Sequence, residues 1–383
     1  MNKNRKKIYL AGFIFSLSIA LTAYINSSFL SSFVGEKFVG IIYTLGSISS
    51  VLTLLIAQKI FRKMGGYKFL LFVTILDILS LLLLILVKNA WSAIIIFIIY
   101  YSLNLLIFFS LDELLKIFSR DSTTGRIRGT YISICGLAWI ISQLMFGAIL
   151  GEFSFRTIYL ISFAVVFLFF IISYWHLRNI PDPNYDKINA KKYIGKFFKN
   201  KNLFRAYGLS FLLQFFYCWM VIYTPIYLSF YLGFSWKEIG AIFAVMLLPF
   251  LVIPFQLGKY ADKIGERKIL MWGFAIASLA TLSIFFIYQH KVWLWALLLL
   301  VTRIGTATIE VMSDVYFFKH IRSENEEFVG VYRSAFPVAY ILSPLLAFVV
   351  SSFIPSFRFI YLVLGAFMLC GIYLASTIRK GDI

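Results

Sequence analysis

The chain alternates between long apolar segments and short polar connections. Twelve apolar runs have the length, about 20 residues, that an α-helix needs to cross a hydrocarbon layer of about 30 Å. A membrane β-barrel would show segments of about ten residues with alternating polarity, and the sequence has none. The pattern therefore predicts an all-α membrane protein. Its spans are predicted at Ile8–Leu30, Val39–Ala57, Phe69–Val87, Trp91–Phe109, Thr130–Leu150, Thr157–Tyr174, Gly208–Leu232, Ile239–Leu257, Ile269–Ile287, Val292–Phe318, Val331–Phe353 and Phe359–Ser376.

Composition supports this interpretation and excludes a nucleic-acid-binding protein. Of the 383 residues, 61% are hydrophobic and 19% are aromatic, and the mean hydropathy is +0.87. No soluble domain has this composition. The formal net charge of +19 comes from basic residues in short loops between apolar runs, without a base-stacking pattern beside them. That distribution is typical of a membrane protein that follows the positive-inside rule.

The distribution of lysine and arginine predicts the orientation. Of the 36 basic residues, Arg303 lies inside a span, six lie in one set of alternate connections, and the remaining 29 lie on the other side with both termini. We therefore expect an integral protein of the cytoplasmic (inner) membrane with both termini in the cytoplasm. The six on the opposite side are Lys37, Lys88, Arg156, Lys237, Lys291 and Arg358.

The spans divide into two halves that repeat. Residues 1–175 and 208–383 each hold six spans, and the basic stretch 176–207 is predicted to be a cytoplasmic linker. Within that linker, an amphipathic helix on the anionic leaflet is the alternative to a plain orienting loop. The motif Gly-Thr-Tyr-Ile-Ser at Gly129 returns as Gly-Val-Tyr-Arg-Ser at Gly330. Because each half has an even number of spans, the two six-helix repeats are parallel, as in one class of transporter.

Motifs for catalysis or cofactor binding are absent from the sequence. There is no zinc motif, no Ser-His-Asp pattern and no G-x-x-x-x-G-K-[ST] phosphate loop. Cys135, Cys218 and Cys370 lie inside apolar segments without metal-ligand spacing. We therefore expect no metal, no cofactor and no enzyme activity.

The tenth span carries a charged stripe. Arg303, Ala307, Glu310 and Asp314 fall on one helical face, and Arg303 and Glu310 are about 10 Å apart along the axis. Ionised groups at membrane depth are costly, so they normally face a bundle interior or a watery cavity. The alternative is a structural pair, Arg303–Glu310 or Arg303–Asp314, that only holds the helix in place.

The connection between spans eight and nine, Gly258-Lys-Tyr-Ala-Asp-Lys-Ile-Gly-Glu-Arg-Lys268, resembles the G-x-x-x-D-[RK]-x-G-[RK]-[RK] loop of the major facilitator superfamily. The resemblance extends over nearly the whole chain and implies that this loop latches the cytoplasmic side. The implied gate residues are Gly258, Asp262, Gly265, Arg267 and Lys268. The N-terminal copy departs from the pattern, because Arg62 replaces its aspartate, so that latch is altered or absent. The fifth span also lacks the Gly-Pro pair of the drug/proton antiporters, which disfavours a standard multidrug antiporter.

The same resemblance implies that spans one, four, seven and ten line a central cavity. The candidate residues for proton coupling and cargo are Arg303, Glu310, Asp314, Asn26, Asn104, Gln214, Tyr217 and Tyr223, with Tyr24 and Trp219 as further aromatics. Asp112 and Glu113 lie at the end of span four, where Glu113 aligns with Asp314. Asp77 lies near mid-membrane in span three, a peripheral helix by this resemblance. It is expected either to hydrogen-bond to span two or to be protonated.

The resulting hypothesis is a secondary active transporter that moves a small molecule by alternating access, coupled to protons through Glu310. Arg303 binding an anionic cargo group directly is an alternative role. Alternatives for the whole protein are a non-transporting receptor or scaffold on the same fold, and a uniporter or lipid transporter without proton coupling. An enzyme acting on lipid is disfavoured, because no nucleophile–base set can be assembled. The expected partners are a small molecule, protons and the lipid bilayer, with no nucleic acid and a monomeric chain.

Overall fold

The structure is a computed structural model that describes residues 3–116, 124–180, 190–254, 257, 265–321 and 327–378. These residues form helices, turns and bends, without a strand among them. Within the described ranges, twelve helical segments are long and apolar enough to cross a membrane. The predicted all-α membrane fold with twelve spans is therefore confirmed.

The helices follow the predicted spans closely, with the differences at their ends. They are α1 Lys3–Ala23, α2 Asn26–Val34, α3 Glu36–Met64, α4 Gly66–Leu86, α5 Ala90–Lys116, α6 Thr124–Leu150, α7 Phe155–His176, α8 Ala190–Lys199, α9 Lys201–Ile226, α10 Trp236–Leu247, α11 Glu266–Ile284, α12 Val292–Lys319, α13 Glu327–Arg333, α14 Ala335–Phe353 and α15 Phe359–Ser376.

Several spans are less regular than the hydropathy pattern indicates. The eighth has a turn at Leu248, and the eleventh is divided at Ser334 between α13 and α14. The first span is broken by a turn at Tyr24 and Ile25 into α1 and α2. The seventh continues beyond α9 as a π-helix, Tyr227–Tyr231. Pro225 lies inside α9 just before it. Because proline has no backbone N–H, it interrupts the helical hydrogen-bond ladder, and the wider π turn begins two residues later.

The chain forms two compact units. The first contains residues 1–186 and 235–241, and the second contains residues 187–234 and 242–383. The domain limits 1–175, 176–207 and 208–383 stay a prediction. In the first unit α1 packs on α6 and α7, and α4 packs on α5 and α7. In the second, α9 packs on α14 and α15, and α11 packs on α12 and α15. The same pairing of helices thus occurs twice.

The repeat extends to individual buried positions. Helices α4 and α11 bury the same face when one is shifted by 200 residues onto the other. A sequence pattern that occurs in two copies is expected to bury the same helix face in each copy. The matching buried pairs are Phe69 and Ile269, Leu70 and Leu270, Val73 and Gly273, Thr74 and Phe274, Asp77 and Ala277, Ser80 and Ala280, Leu81 and Thr281, and Leu84 and Ile284.

Glycines with positive φ begin the equivalent helices. Gly65 precedes α4 with φ 79° and ψ 154°, and Gly265 precedes α11 with φ 83° and ψ 146°. This backbone region is essentially restricted to glycine. Among the described residues, no atom outside the local chain lies within 4 Å of a Cβ built on Gly265. The requirement for glycine there is therefore one of backbone conformation and not of space.

We expect Gly265→Ala to destabilise the protein by about 1–3 kcal/mol, because alanine is strained at this φ and ψ. The apparent melting temperature of the purified protein in detergent measures this effect. Gly330→Ala is the matched control, because Gly330 lies in helix α13 with equally open space and no positive φ. It should be neutral or slightly stabilising. Equal melting temperatures for the two variants would contradict the backbone argument.

Candidate functional site

Tyr217 connects the two charged residues at the centre of the predicted stripe. It lies on α9, facing α12. Its hydroxyl donates a hydrogen bond of 2.9 Å to Oε2 of Glu310. The guanidinium of Arg303 lies over the same ring, 5.1 Å from the centroid. Glu310 and Arg303 are thus linked through one aromatic side chain that offers its ring face to the cation and its hydroxyl to the carboxylate.

Arg303 is a buried cation without a carboxylate partner among the described residues. Its side chain is 2% exposed. Beyond Tyr217, it lies 5.6 Å from the ring centroid of Phe216. Its Nε and Nη2 atoms are buried and have no hydrogen-bond partner in the described part of the chain. A guanidinium stacked on aromatic rings with two unused donor atoms is chemically suited to a carbonyl, carboxylate or phosphate oxygen.

Asp314, one turn after Glu310 on α12, forms a separate set of contacts. Its carboxylate accepts a hydrogen bond of 2.8 Å from the hydroxyl of Tyr332. It also pairs with Arg333, with 3.0 Å between Nη2 and Oδ2. Within the described ranges, the structural pairs considered as alternatives, Arg303–Glu310 and Arg303–Asp314, are not formed as ion pairs. Asp314 therefore ties α12 to α13, while Glu310 keeps a neutral donor as its hydrogen-bond partner.

The other aromatic and amide candidates lie in different surroundings. In the second unit, Gln214 is half-buried, and the hydroxyl of Tyr223 lies 3.5 Å from the carbonyl oxygen of Pro344. In the first unit, the amide oxygen of Asn26 accepts a hydrogen bond of 2.7 Å from Tyr159. Asn104 donates to the carbonyl oxygen of Tyr100 on its own helix. The side-chain oxygen of Asn26 is thus hydrogen-bonded within the first unit. The side chain of Asn104 is half-buried.

The secondary carboxylate candidates all lie in the first unit. Asp77 is fully buried in the middle of α4. Its carboxyl oxygens form no hydrogen bond with α3 or with any other described residue. Asp112 and Glu113 are half-buried near the C-terminal end of α5. Of these three residues, only Asp77 lies at mid-helix.

The predicted gate loop is described only at its C-terminal end. Gly258 and Asp262 lie outside the described residues. Gly265 is the residue before α11, and Arg267 and Lys268 are in the first turn of that helix. The latch role of these residues stays a prediction.

Three residues that contact Arg303 or Asp314 were not singled out from the sequence. Phe216 was hidden in the aromatic run of span seven, because pattern alone does not tell which ring faces a charge. Tyr332 and Arg333 lie inside the repeated motif at Gly330, which was recognised only as a sign of duplication. In the first copy, isoleucine occupies the position of Arg333. That difference between the two copies could have indicated that Arg333 pairs with an acidic residue of its own half, which is Asp314.

The comparison with protein families agrees with this architecture. The model of the Major Facilitator Superfamily matches residues 8–246 and again residues 220–382. Together the two matches cover nearly the whole chain, and the protein belongs to this family. It is an integral membrane protein and a membrane transporter, and the family relation points away from an enzyme.

Solved structures show the same fold at low sequence identity. The nucleoside transporter NupG matches with a TM-score of 0.75, covering 99% of this chain and 100% of that one at 12% identity. A mutant form of NupG gives a TM-score of 0.79 with the same coverage and identity. A bacterial homologue of the human lysosomal transporter Spinster, inward-facing and unoccupied, gives 0.71 at 12% identity, covering 98% of this chain and 94% of that one. No curated protein matches the sequence.

Proposed function

We propose that this transporter is a secondary active carrier that couples the movement of a small organic molecule to protons by alternating access, with Glu310 as the proton carrier. Glu310 suits this role, because it is a half-buried carboxylate inside a membrane span and its hydrogen-bond partner, Tyr217, is uncharged.

An uncharged partner suits proton exchange. A carboxylate locked in a buried ion pair can take up a proton only by leaving a cation unpaired, which costs several kcal/mol. Glu310 avoids this cost, because the Tyr217 hydroxyl can donate to the carboxylate and can also accept from the protonated acid. Its half-buried side chain leaves a route for the proton. Protonation can then bias the equilibrium between two conformations.

Arg303 is proposed to recognise the cargo. Its two unpartnered buried donor atoms favour a cargo group with an acceptor oxygen, and its aromatic neighbours hold the guanidinium plane in place. Because the stacking on Tyr217 links Arg303 to the Glu310 hydrogen bond, cargo binding and proton binding would affect each other. Such coupling between two ligands is necessarily reciprocal.

Orientation and membrane are part of the same proposal. The charge distribution in the sequence supports a cytoplasmic membrane location with both termini in the cytoplasm. The loop from Gly258 to Lys268 is proposed to latch the cytoplasmic side, and the chain is proposed to work as a monomer. The domain limits predicted above then correspond to two moving halves joined by a cytoplasmic linker.

Uptake into proteoliposomes tests the proposal. The vesicles are bathed in a mixture of nucleosides, sugars, dipeptides and amino acids, and retained compounds are identified by mass spectrometry. Nucleosides are included because NupG is named a nucleoside transporter. A gradient of one pH unit supports at most about tenfold accumulation of a neutral cargo that moves with one proton, since it represents about 1.4 kcal/mol.

We expect at least one class to accumulate in the presence of the pH gradient and to be released by a protonophore. Equilibration without accumulation would favour a uniporter. Binding of a compound without any movement across the membrane would favour a receptor on the same fold.

A further inference from the structure

The first unit contains a buried carboxyl group that the proposed mechanism does not use. Asp77 is the twelfth of the 21 residues of α4 and lies on its buried face between Thr74 and Ser80. Its exposed fraction is 0%, and neither carboxyl oxygen has a hydrogen-bond partner among the described residues. The neighbouring hydroxyls on α4 are directed to carbonyl oxygens of that helix, Thr74 to Leu70 and Ser80 to Asp77 itself.

A polar ladder runs through the interior of the same unit. It joins the first span to α5 and α7, which are the two helices on which α4 packs most extensively. Tyr100, in the middle of this ladder, lies on α5, one of those two helices. The ladder consists of Ser18 with Ser162 at 2.6 Å, Thr22 with Tyr100 at 2.7 Å, and Asn26 with Tyr159 at 2.7 Å.

No counter-charge faces Asp77 from the described parts of the helices around it. The buried titratable groups on those helices are tyrosines, namely Tyr43 of α3, Tyr100 of α5 and Tyr159 of α7. The charged side chains described on the same helices lie towards helix ends: Glu36, Lys37, Lys59 and Lys63 on α3, Asp112 and Glu113 on α5, and Arg156 and His176 on α7. An ionised carboxylate without a cation or a donor is far more costly to bury than the neutral acid.

The internal repeat shows that packing does not require an acid here. The position equivalent to Asp77 in the second unit is Ala277, which is also fully buried. There, α12 approaches closely, and a Cβ built on Gly305 would lie 2.6 Å from the backbone nitrogen of Ala277. In the second unit, small apolar residues thus fill the contact between α11 and α12. In the first unit, the equivalent position of α4 carries a carboxyl group without a hydrogen-bond partner, and the helices on which α4 packs carry the polar ladder.

We propose that Asp77 is a second, reversible proton-binding site, enclosed in the first unit and separate from Glu310. The neutral acid is the form present when the unit is closed. Because the carboxyl group has no exposed surface, its proton can leave only when water enters between α4 and its neighbours α5 and α7. Proton exchange at Asp77 is therefore gated by opening of the first unit. This goes beyond the proposed function, which assigns the coupling proton to the second unit.

Infrared difference spectroscopy on the full chain in liposomes tests this site. Protein is labelled with ¹³C at the aspartate carboxyl carbon, so that aspartic acid bands shift and Glu310 does not contribute. Raising the buffer pH should remove an aspartic acid carbonyl band, and transfer into D₂O should shift that band slowly. Asp77→Asn should lose the band, whereas the control Asp112→Asn should keep it. Asp77→Ala, which imitates the other repeat, should also lose it.

Three results would overturn the proposal. Absence of an Asp77 acid band at every pH would mean a permanently ionised group. A band that persists at every pH at which the protein stays folded would mean a carboxyl group that never releases its proton. Loss of the band when sodium chloride replaces choline chloride at constant pH would mean a sodium site. Glu310→Gln should leave the band intact, so failure at Asp77 and failure of the Glu310 proposal can be told apart.

Discussion

Glu310→Gln is expected to abolish accumulation of cargo against a gradient while leaving exchange of cargo between the two sides intact. Glutamine has the shape of the protonated acid and keeps a hydrogen-bond partner for Tyr217, but it cannot release a proton. With an imposed gradient of one pH unit, the wild type should accumulate up to about tenfold and the variant should not accumulate at all. Uptake and counterflow in the same proteoliposomes measure the two activities separately.

The matched control for this variant is Glu152→Gln. Glu152 is exposed in the turn that follows α6, outside the proposed cargo site and latch. Removing a single surface charge there should change stability only slightly and should leave accumulation unchanged. Wild-type accumulation by Glu310→Gln would show that Glu310 is not the carrier and would move the search to Asp314 and Asp77.

Arg303→Lys is expected to weaken cargo binding strongly although it keeps the positive charge. Lysine lacks the planar group that stacks on Phe216 and Tyr217, and it places its donors differently. Losing hydrogen bonds from a buried charged group to the cargo costs about 1.5–3 kcal/mol. The KM for the accumulated compound should therefore rise about 10- to 100-fold, with a smaller change in kcat. Initial uptake rates over a range of cargo concentrations give both constants.

Arg333→Lys serves as the control, because Arg333 is half-exposed and pairs with Asp314. It should change the KM by much less than Arg303→Lys. If Arg303 is only a structural cation, Arg303→Lys will instead lower the melting temperature and leave the KM unaltered. A structural Arg303–Glu310 pair would also make the double variant Arg303→Ala/Glu310→Gln more stable than Arg303→Ala alone.

The number and type of the spans were predictable, because the hydrophobic effect and the bilayer thickness impose them segment by segment. The duplication was also visible in the sequence, since the motif at Gly129 recurs at Gly330. Local backbone features were harder to predict. The turn at Tyr24 and Ile25 divides an uninterrupted apolar run, and hydropathy carries no information about such a break.

The candidate site was predictable as a set of charged residues on one helix but not as a set of contacts. The period of α12 places Arg303, Glu310 and Asp314 on one face. Their partners come from other helices, Tyr217 from α9 and Arg333 from α13, which are distant in sequence. Tyr217 was one aromatic candidate among several, and only the packing of α9 on α12 distinguishes it.

If protons and cargo move together through Glu310, entry of cargo into vesicles must change the lumenal pH. Proteoliposomes carrying a pH-sensitive dye in the lumen, without an imposed pH gradient, receive the compound that accumulates in the uptake mixture. The wild type should change its lumenal pH as the compound enters, and Glu310→Gln should transport the compound without a pH change. Equal pH changes in the two proteins, or entry into wild-type vesicles with no pH change, would show that Glu310 does not couple cargo to protons.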